Sequence, residues 1–542
     1  MSRRAVALFG FTMTALFLCI LSVYRVSVGN GLAQAAARQQ RYTLPVASVR
    51  GTIYDCNGVP LTGGGQKETV AAVAPGIEAA AALDRVLPAG KMKTVLPLLE
   101  AGKPFALQLP QAVSAEGIRV FTVAARYADP QPAAHLVGYL NGSGHGAAGI
   151  EKAFDQQLGG NPGRISVAYP VDAMNRVLPG ERETVSDTSA LGKGGVVLTL
   201  DARVQNLAER AADRYLTRGA VIVLEVPTGK IRAMASRPAF PPGDVATVLD
   251  AGDSPLLNRA LAAYSVGSVF KPVAAAAALE SGISPDYTYT CTGSIEVDGA
   301  LFHCFDSEPH GKETMKEAIA HSCNTYFVNL MQHVPQEKFL AAARALGFGR
   351  SFEIAPGISS AAGVLPELNS LKVPRALANF SFGQGELTAT PLQVVSMVNA
   401  IASGGVFTPP TLYEGLVNEK LEFTEKAARR AGGQAIRPGT AELLRQFMKA
   451  SVDEGTSKKG KPAHGGAGAK TATAQTGNYV DGVEQVQSWF AGFYPYEDPR
   501  YAVVVFAEGG EGGGTTCGPA FREIADGLYA LGLAGGGENA GR

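Results

Sequence analysis

A serine and a lysine one helical turn apart can form an acylating centre. Ser268-Val269-Phe270-Lys271 is the only Ser-x-x-Lys in the chain and stands in Tyr264–Gly282, YSVGSVFKPVAAAAALESG. Positions i and i+3 share a helix face, so the hydroxyl and the amine meet. A serine is a weak nucleophile until a base takes its proton, and a lysine can do so once burial lowers its pKa. The ordinary reading is an N-cap serine beside a solvated lysine, and the motif alone does not displace it.

Two later motifs do. Ser322-Cys323-Asn324 is the only Ser-x-Asn and lies 54 residues after Ser268. A second hydroxyl can relay a proton to a leaving group, and an amide can hold a substrate amide through one donor and one acceptor. Lys470-Thr471-Ala472-Thr473 begins 202 residues after Ser268, in AKTATAQTG. On an edge strand beside the nucleophile, Lys470, Thr471 and Thr473 would bind a carboxylate, and the strand's backbone would offer an oxyanion donor. Alone, the second motif is a capping serine and the third an exposed strand; their order makes chance a poor explanation.

The elements that must position these groups read as an α+β layer fold. The alanine run after Ser268 has the best helix propensity, Pro272 falls in its first turn, and Gly282 suits the position past its end. Ser322 sits between two helical stretches. VVLTLDARVQ (196–205) starts a strand that gives way to a helix running to about Thr217. GAVIVLEVPTGKIRAMAS reads as a hairpin turning at Pro227-Thr228-Gly229, and SWFAGFYPYEDPRYAVVVFAEGG as another turning at Glu497-Asp498-Pro499. A helix from about Phe521 to Leu531 follows. Strands at both ends with a helical middle predict an antiparallel sheet with helices on its faces. A flexible stretch from Ser457 to Gly468 is expected before the third motif.

The 542-residue chain should form two or more domains, and its 46% apolar content suffices for sizeable cores. Zero formal net charge gives no electrostatic case for nucleic acid. Residues 5–24 carry no charge and are long enough to span a bilayer; Arg3 and Arg4 before them favour a cytoplasmic tail of residues 1–4 and an extracytoplasmic body. A leader cleaved near Ala33-Gln34-Ala35 is the alternative, although the apolar stretch is long for one; both export the body. Residues 40–190 read as an irregular pedestal without a metal-site or phosphate-loop pattern. It holds Arg50-Gly51-Thr52-Ile53-Tyr54-Asp55 with the turn Asn57-Gly58, a helix over Ile77–Leu87, Arg126-Tyr127, AAHLVGYLNG and GIEKAFD. Residues 195–533 form the unit with the three motifs, and 534–542 a flexible tail.

The three motifs together are those of penicillin-recognising serine enzymes. With the pedestal motifs and FGQGELTATPLQ (382–393), essentially the whole chain resembles the class B penicillin-binding proteins, monofunctional D,D-transpeptidases that cross-link peptidoglycan. The resemblance implies a transpeptidase domain, a pedestal and one transmembrane anchor. It implies that Ser268 attacks the carbonyl between the terminal D-alanines of a stem peptide and that Lys271 is its base. Ser322 would pass the proton to the departing D-alanine, Asn324 would orient the donor, and Lys470, Thr471 and Thr473 would hold its carboxylate. The backbone N–H groups of Ser268 and Thr473 would hold the oxyanion. β-Lactams would acylate Ser268, no metal or organic cofactor is required, and a SEDS-type glycosyltransferase is the usual membrane partner.

Ala472 departs from the family's Lys-Thr-Gly, placing a methyl where close backbone approach is usual. Cysteines are the second feature. A Cys304–Cys323 or Cys291–Cys304 bridge would suit an exported protein, and a bridge at Cys323 would pull on Ser322 and Asn324 as a redox switch. This resembles the sporulation, stage V protein D-like branch; the plainer reading is a small buried thiol. Two other function classes share the pattern. A catalytically weak scaffold of a cell-wall complex is opposed by the complete catalytic set. A β-lactam sensor or hydrolase is opposed by the long pedestal and the single span.

Overall fold

The computed structural model describes residues 3–28, 41–63, 67–160, 163–178, 180, 182–188, 194–305, 307–480 and 482–534. The expected leader cleavage site at residues 33–35, the first two residues of the expected cytoplasmic tail and nearly all of the expected C-terminal tail lie outside them. The chain divides into two compact units: Met1–Arg50 with Gly65–Ala125 and Asn161–Lys193, and Gly51–Gly64 with Arg126–Gly160 and Gly194–Arg542.

The first unit begins with the helix Arg3–Val28, of which Arg3–Ser27 is long and apolar enough to cross a membrane. It also holds two three-stranded antiparallel sheets. One runs Arg41–Val49, Gly163–Pro170, Thr184–Asp187; the other has Lys67–Val73 between Phe105–Leu109 and Ile118–Ala124. The expected helix appears at Ile77–Val86. Alternation along Gly163–Pro170 sends Ile165, Val167 and Tyr169 into the core.

The block 40–190 expected as one pedestal is threaded between the two units, because its sequence motifs serve the second. Arg126 donates to Glu151 Oε1 at 2.6 Å and to the Gly51 carbonyl at 2.7 Å, which ties three of those motifs together. Buried Asp55 accepts from the backbone N–H groups of Asn57, Val59 and Ala202. It thereby serves an orphan donor at the start of the helix Ala202–Tyr215, beside the cap Asp201.

The second unit is built on a five-stranded antiparallel sheet in the order Ile231–Arg237, Gly219–Glu225, Tyr501–Glu508, Val483–Tyr494, Gly468–Val480. Both expected hairpins form, and the third motif lies on the edge strand. The central strands are apolar runs because both faces are buried. Val221, Val223, Val503 and Val505 pack with the helices Ala202–Tyr215 and Gly518–Ala530. Ala220, Ile222, Val504 and Phe506 face the larger core that holds Lys271–Glu280.

The serine helix differs from its expected start. Gly267–Phe270 is a 3₁₀ turn, and the α-helix proper runs Lys271–Glu280, with Gly282 at φ +90° beyond its end. Val273 to Ala278 are all buried, so the small side chains let helices approach from every side. Phe270 anchors the turn against Phe339, Phe348 and Phe380. Ser457–Gly468, expected to be flexible, is held in place. Lys458–Gly460 is a 3₁₀ turn, Ser457 bonds Ser451 at 2.8 Å, and Gly460 packs on the Phe490 ring where a side chain would collide.

Candidate active site

FGQGELTATPLQ explains how the serine turn is held. Gly267 donates to the Gly383 carbonyl at 2.8 Å, and a Cβ on Gly383 would lie 2.1 Å from the Gly267 oxygen. Tyr264–Ser265 pairs with Thr388–Ala389, and Thr390 and Gln393 form a capping box on the helix Pro391–Ala402. From the sheet side, Trp489 Nε1 donates to the Ser265 carbonyl at 3.0 Å.

Ser322 ends the helix Met315–His321 in the left-handed conformation, φ 62°, and Cys323 caps the helix Asn324–Met331. This sharp reversal presents Ser322 and Asn324 to Lys271. The fully buried Lys271 amine reaches the Ser322 carbonyl at 2.5 Å, Ser322 Oγ at 3.2 Å and Asn324 Oδ1 at 2.7 Å. Asn324 Nδ2 donates to the His303 carbonyl at 2.9 Å, fixing which end of the amide faces the lysine. Lys470, also fully buried, reaches Ser322 Oγ at 2.8 Å and the Thr471 carbonyl at 2.9 Å.

Two ammonium groups cannot share one desolvated hydroxyl cheaply. Burial lowers the Lys271 pKa to about 8. Lys470 is lowered well below the usual lysine value by burial and then by the Lys271 charge. A neutral amine is therefore accessible near neutral pH, as a general base requires.

Ser268, Ser322, Asn324, Thr471, Ala472 and Thr473 line one cleft of about 840 Å³. Lys271 and Lys470 lie beneath its floor. Thr471 Oγ1 pairs with Thr456 Oγ1 at 2.9 Å, and Thr473 stands against Gly512. The Ala472 methyl is accommodated because it faces Gly267, whose missing side chain leaves the space: a Cβ there would lie 3.3 Å from that methyl and 3.0 Å from Ala474 Cβ.

Sequence reasoning missed the rest of the cleft. Thr456 precedes the stretch read as flexible. Gly512–Thr515 follows the last strand, and a Cβ on Gly513 would lie 2.0 Å from the Trp489 oxygen and 2.5 Å from the Ala472 oxygen. The run of glycines after Glu508 was the signal that could have marked this close approach. Phe302 and Phe305 also line the cleft.

The two cysteine bridges considered from sequence are not formed. Cys291, Cys304 and Cys323 are free, with Cys291 and Cys304 sulfurs 3.7 Å apart and those of Cys304 and Cys323 3.8 Å apart. A disulfide needs about 2.0 Å.

Residues 219–526 match the model of the penicillin binding protein transpeptidase domain. Stage V sporulation protein D of Bacillus subtilis is 29% identical, over 97% of this chain and 85% of that protein. The peptidoglycan D,D-transpeptidase PbpA of Mycolicibacterium smegmatis is 30% identical, over 71% of this chain and 79% of its own. Among solved structures, penicillin binding protein 3 of Mycobacterium tuberculosis complexed with aztreonam is 25% identical with a TM-score of 0.66, covering 91% of this chain and 98% of its own.

Proposed function

The chain belongs to the penicillin-binding protein transpeptidase family, among its class B members, and on that premise we propose that it cross-links peptidoglycan stem peptides through an acyl-enzyme at Ser268. The observation that carries this reading is the Ser322 hydroxyl, which lines the same cleft as Ser268 and is held between two buried amines, Lys271, three residues after Ser268, and Lys470.

Ser268 Oγ attacks the carbonyl carbon of the penultimate D-alanine and gives its proton to neutral Lys271. The tetrahedral oxyanion is received by the backbone N–H groups of Ser268 and Thr473. Ser322, bonded to both lysines, passes a proton to the nitrogen of the departing D-alanine as the C–N bond breaks. Asn324 orients the donor amide, and Thr471 and Thr473, which line the cleft, hold its terminal carboxylate, with the buried Lys470 behind them. An amine of a second stem peptide then attacks the ester, returns its proton through the same relay and frees Ser268. A β-lactam enters the first half of this sequence and stops as the stable acyl-enzyme.

The helix Arg3–Val28 anchors the chain in the membrane, with the cleft outside the cytoplasm; Arg3 and Arg4 support that orientation. A SEDS-type glycosyltransferase is the expected membrane partner, on the family resemblance. Labelling with a fluorescent penicillin tests the reading: wild type is labelled, and a folded Ser268→Ala variant is not. Absence of label on folded wild type would remove acyl transfer and favour a scaffold.

A further inference from the structure

Behind the Ser322-Cys323-Asn324 turn, four side chains from separate segments converge on one point. Cys291 ends the strand Tyr289–Cys291, Cys304 follows the strand Ala300–His303, His310 precedes the strand Gly311–Glu313, and Cys323 caps the helix Asn324–Met331. Three sulfurs and a ring nitrogen lie within 4.8 Å of one another. We propose that Cys291, Cys304, Cys323 and His310 form a structural site for one zinc-class divalent ion, which fixes Ser322 and Asn324 from behind.

The geometry is that of a single tetrahedral ion. Zinc–sulfur bonds of about 2.3 Å and zinc–nitrogen bonds of about 2.0–2.1 Å give tetrahedron edges of about 3.7–3.8 Å between sulfurs and about 3.5 Å between sulfur and nitrogen. The observed edges are 3.7 Å for Cys291–Cys304, 3.8 Å for Cys304–Cys323 and 3.4 Å from Cys291 Sγ to His310 Nδ1. Three thiolates with one imidazole select zinc over calcium or magnesium, which prefer oxygen.

The surroundings fit as well. The Gly293 and Tyr326 backbone N–H groups each donate to a sulfur at 3.4 Å, to Cys291 and Cys323 respectively. Thr325 Oγ1 donates to Cys291 Sγ at 3.1 Å. Such outer contacts orient metal-bound thiolates. The three cysteines are buried, whereas His310 and Cys304 also line the cleft, which gives an entry path. Binding displaces three thiol protons to solvent and transfers no electrons. It adds an ion to a chain whose acyl-transfer chemistry needs none.

The site would act by position. Cys323 lies between Ser322 and Asn324, and Cys304 follows His303, whose carbonyl accepts from Asn324 Nδ2. One ion would thus hold both sides of the Asn324 hydrogen bond.

The test uses the full-length chain, purified in detergent under reducing conditions, with elemental analysis and substitution by cobalt(II). The expected result is about one zinc per chain, and, with cobalt, a thiolate charge-transfer band with the intense visible bands of a tetrahedral centre. Ser268→Ala keeps both signals while losing penicillin labelling, which separates this site from the acylation reading. His310→Ala weakens zinc binding by more than the ~10–100-fold that loss of an outer partner costs, and His310→Cys restores it. Wild type with three titratable thiols that takes up neither ion overturns the proposal. So does a disulfide among these cysteines in metal-free protein from the same preparation, or cobalt spectra unchanged in His310→Ala.

Discussion

Lys271 and Lys470 direct their buried amines at the same hydroxyl, Ser322 Oγ, from 3.2 and 2.8 Å. Burial and mutual repulsion make one shared proton the favoured state, so the pair titrates as a unit. The rate of acylation by a soluble β-lactam should rise with pH and level off above about 8, the value to which burial lowers Lys271. Lys271→Arg, which cannot deprotonate, should lose the rise and about 10²–10⁴-fold in rate. A flat wild-type profile between pH 6 and 9 would remove Lys271 as the base.

The same shift has a consequence for stability. The folded Lys271 value of about 8 lies below its ordinary 10.5. Between those values the unfolded chain binds more protons, so this group's contribution to stability rises with pH and its penalty is fully present below pH 8. Denaturation midpoints compared with Lys271→Met should therefore shift in favour of wild type as pH climbs from 8 to 10. A constant difference would contradict the buried titration.

Much of this was legible in the sequence, for reasons that differ from residue to residue. Ser268 and Lys271 were readable because a spacing of three puts two residues on one face of a helical turn, α or 3₁₀, and the strand of Lys470 because alternating threonines suit an edge. Both hairpins followed from apolar runs around turn residues. Asp55, Arg126 and Glu151 stand in motifs that were recognised, yet their role was not readable. It depends on long-range contacts that thread 51–64 and 126–160 into the second unit. The thiol–imidazole cluster was hidden for a similar reason. Cys291-x12-Cys304-x5-His310-x12-Cys323 lacks the closely spaced cysteine pair that marks a zinc site in sequence, and only folding brings its members together.

Gly267 has two constraints at once. Its φ of +64° is left-handed, which costs a residue with a side chain about 1–2 kcal/mol. A Cβ would also press on Ala474 at 3.0 Å and Ala472 at 3.3 Å. Gly267→Ala should thus lower the melting temperature and reduce penicillin labelling sharply. Ala472→Gly, which only widens the same contact, should keep labelling within about threefold, a change of under ~1 kcal/mol. Equal loss in both variants would mean that the Ala472 methyl itself shapes the cleft.

Arg126 and Glu151 offer the most direct test of the threaded second unit. Their contact is 2.6 Å, Glu151 is fully buried, and the Arg126 guanidinium also holds the Gly51 carbonyl. Removing one partner leaves the other charge desolvated, which costs about 3–5 kcal/mol. Replacing both with apolar residues of similar size costs much less, because no uncompensated charge remains. Trp489, the one tryptophan of the chain, is buried in the sheet of the same unit and reports its unfolding by fluorescence. Arg126→Met should lower the urea midpoint of that signal strongly, and Arg126→Met with Glu151→Leu should recover most of the loss. Midpoints unchanged in the single variant would show that the segment 126–160 does not support the sheet that carries Lys470.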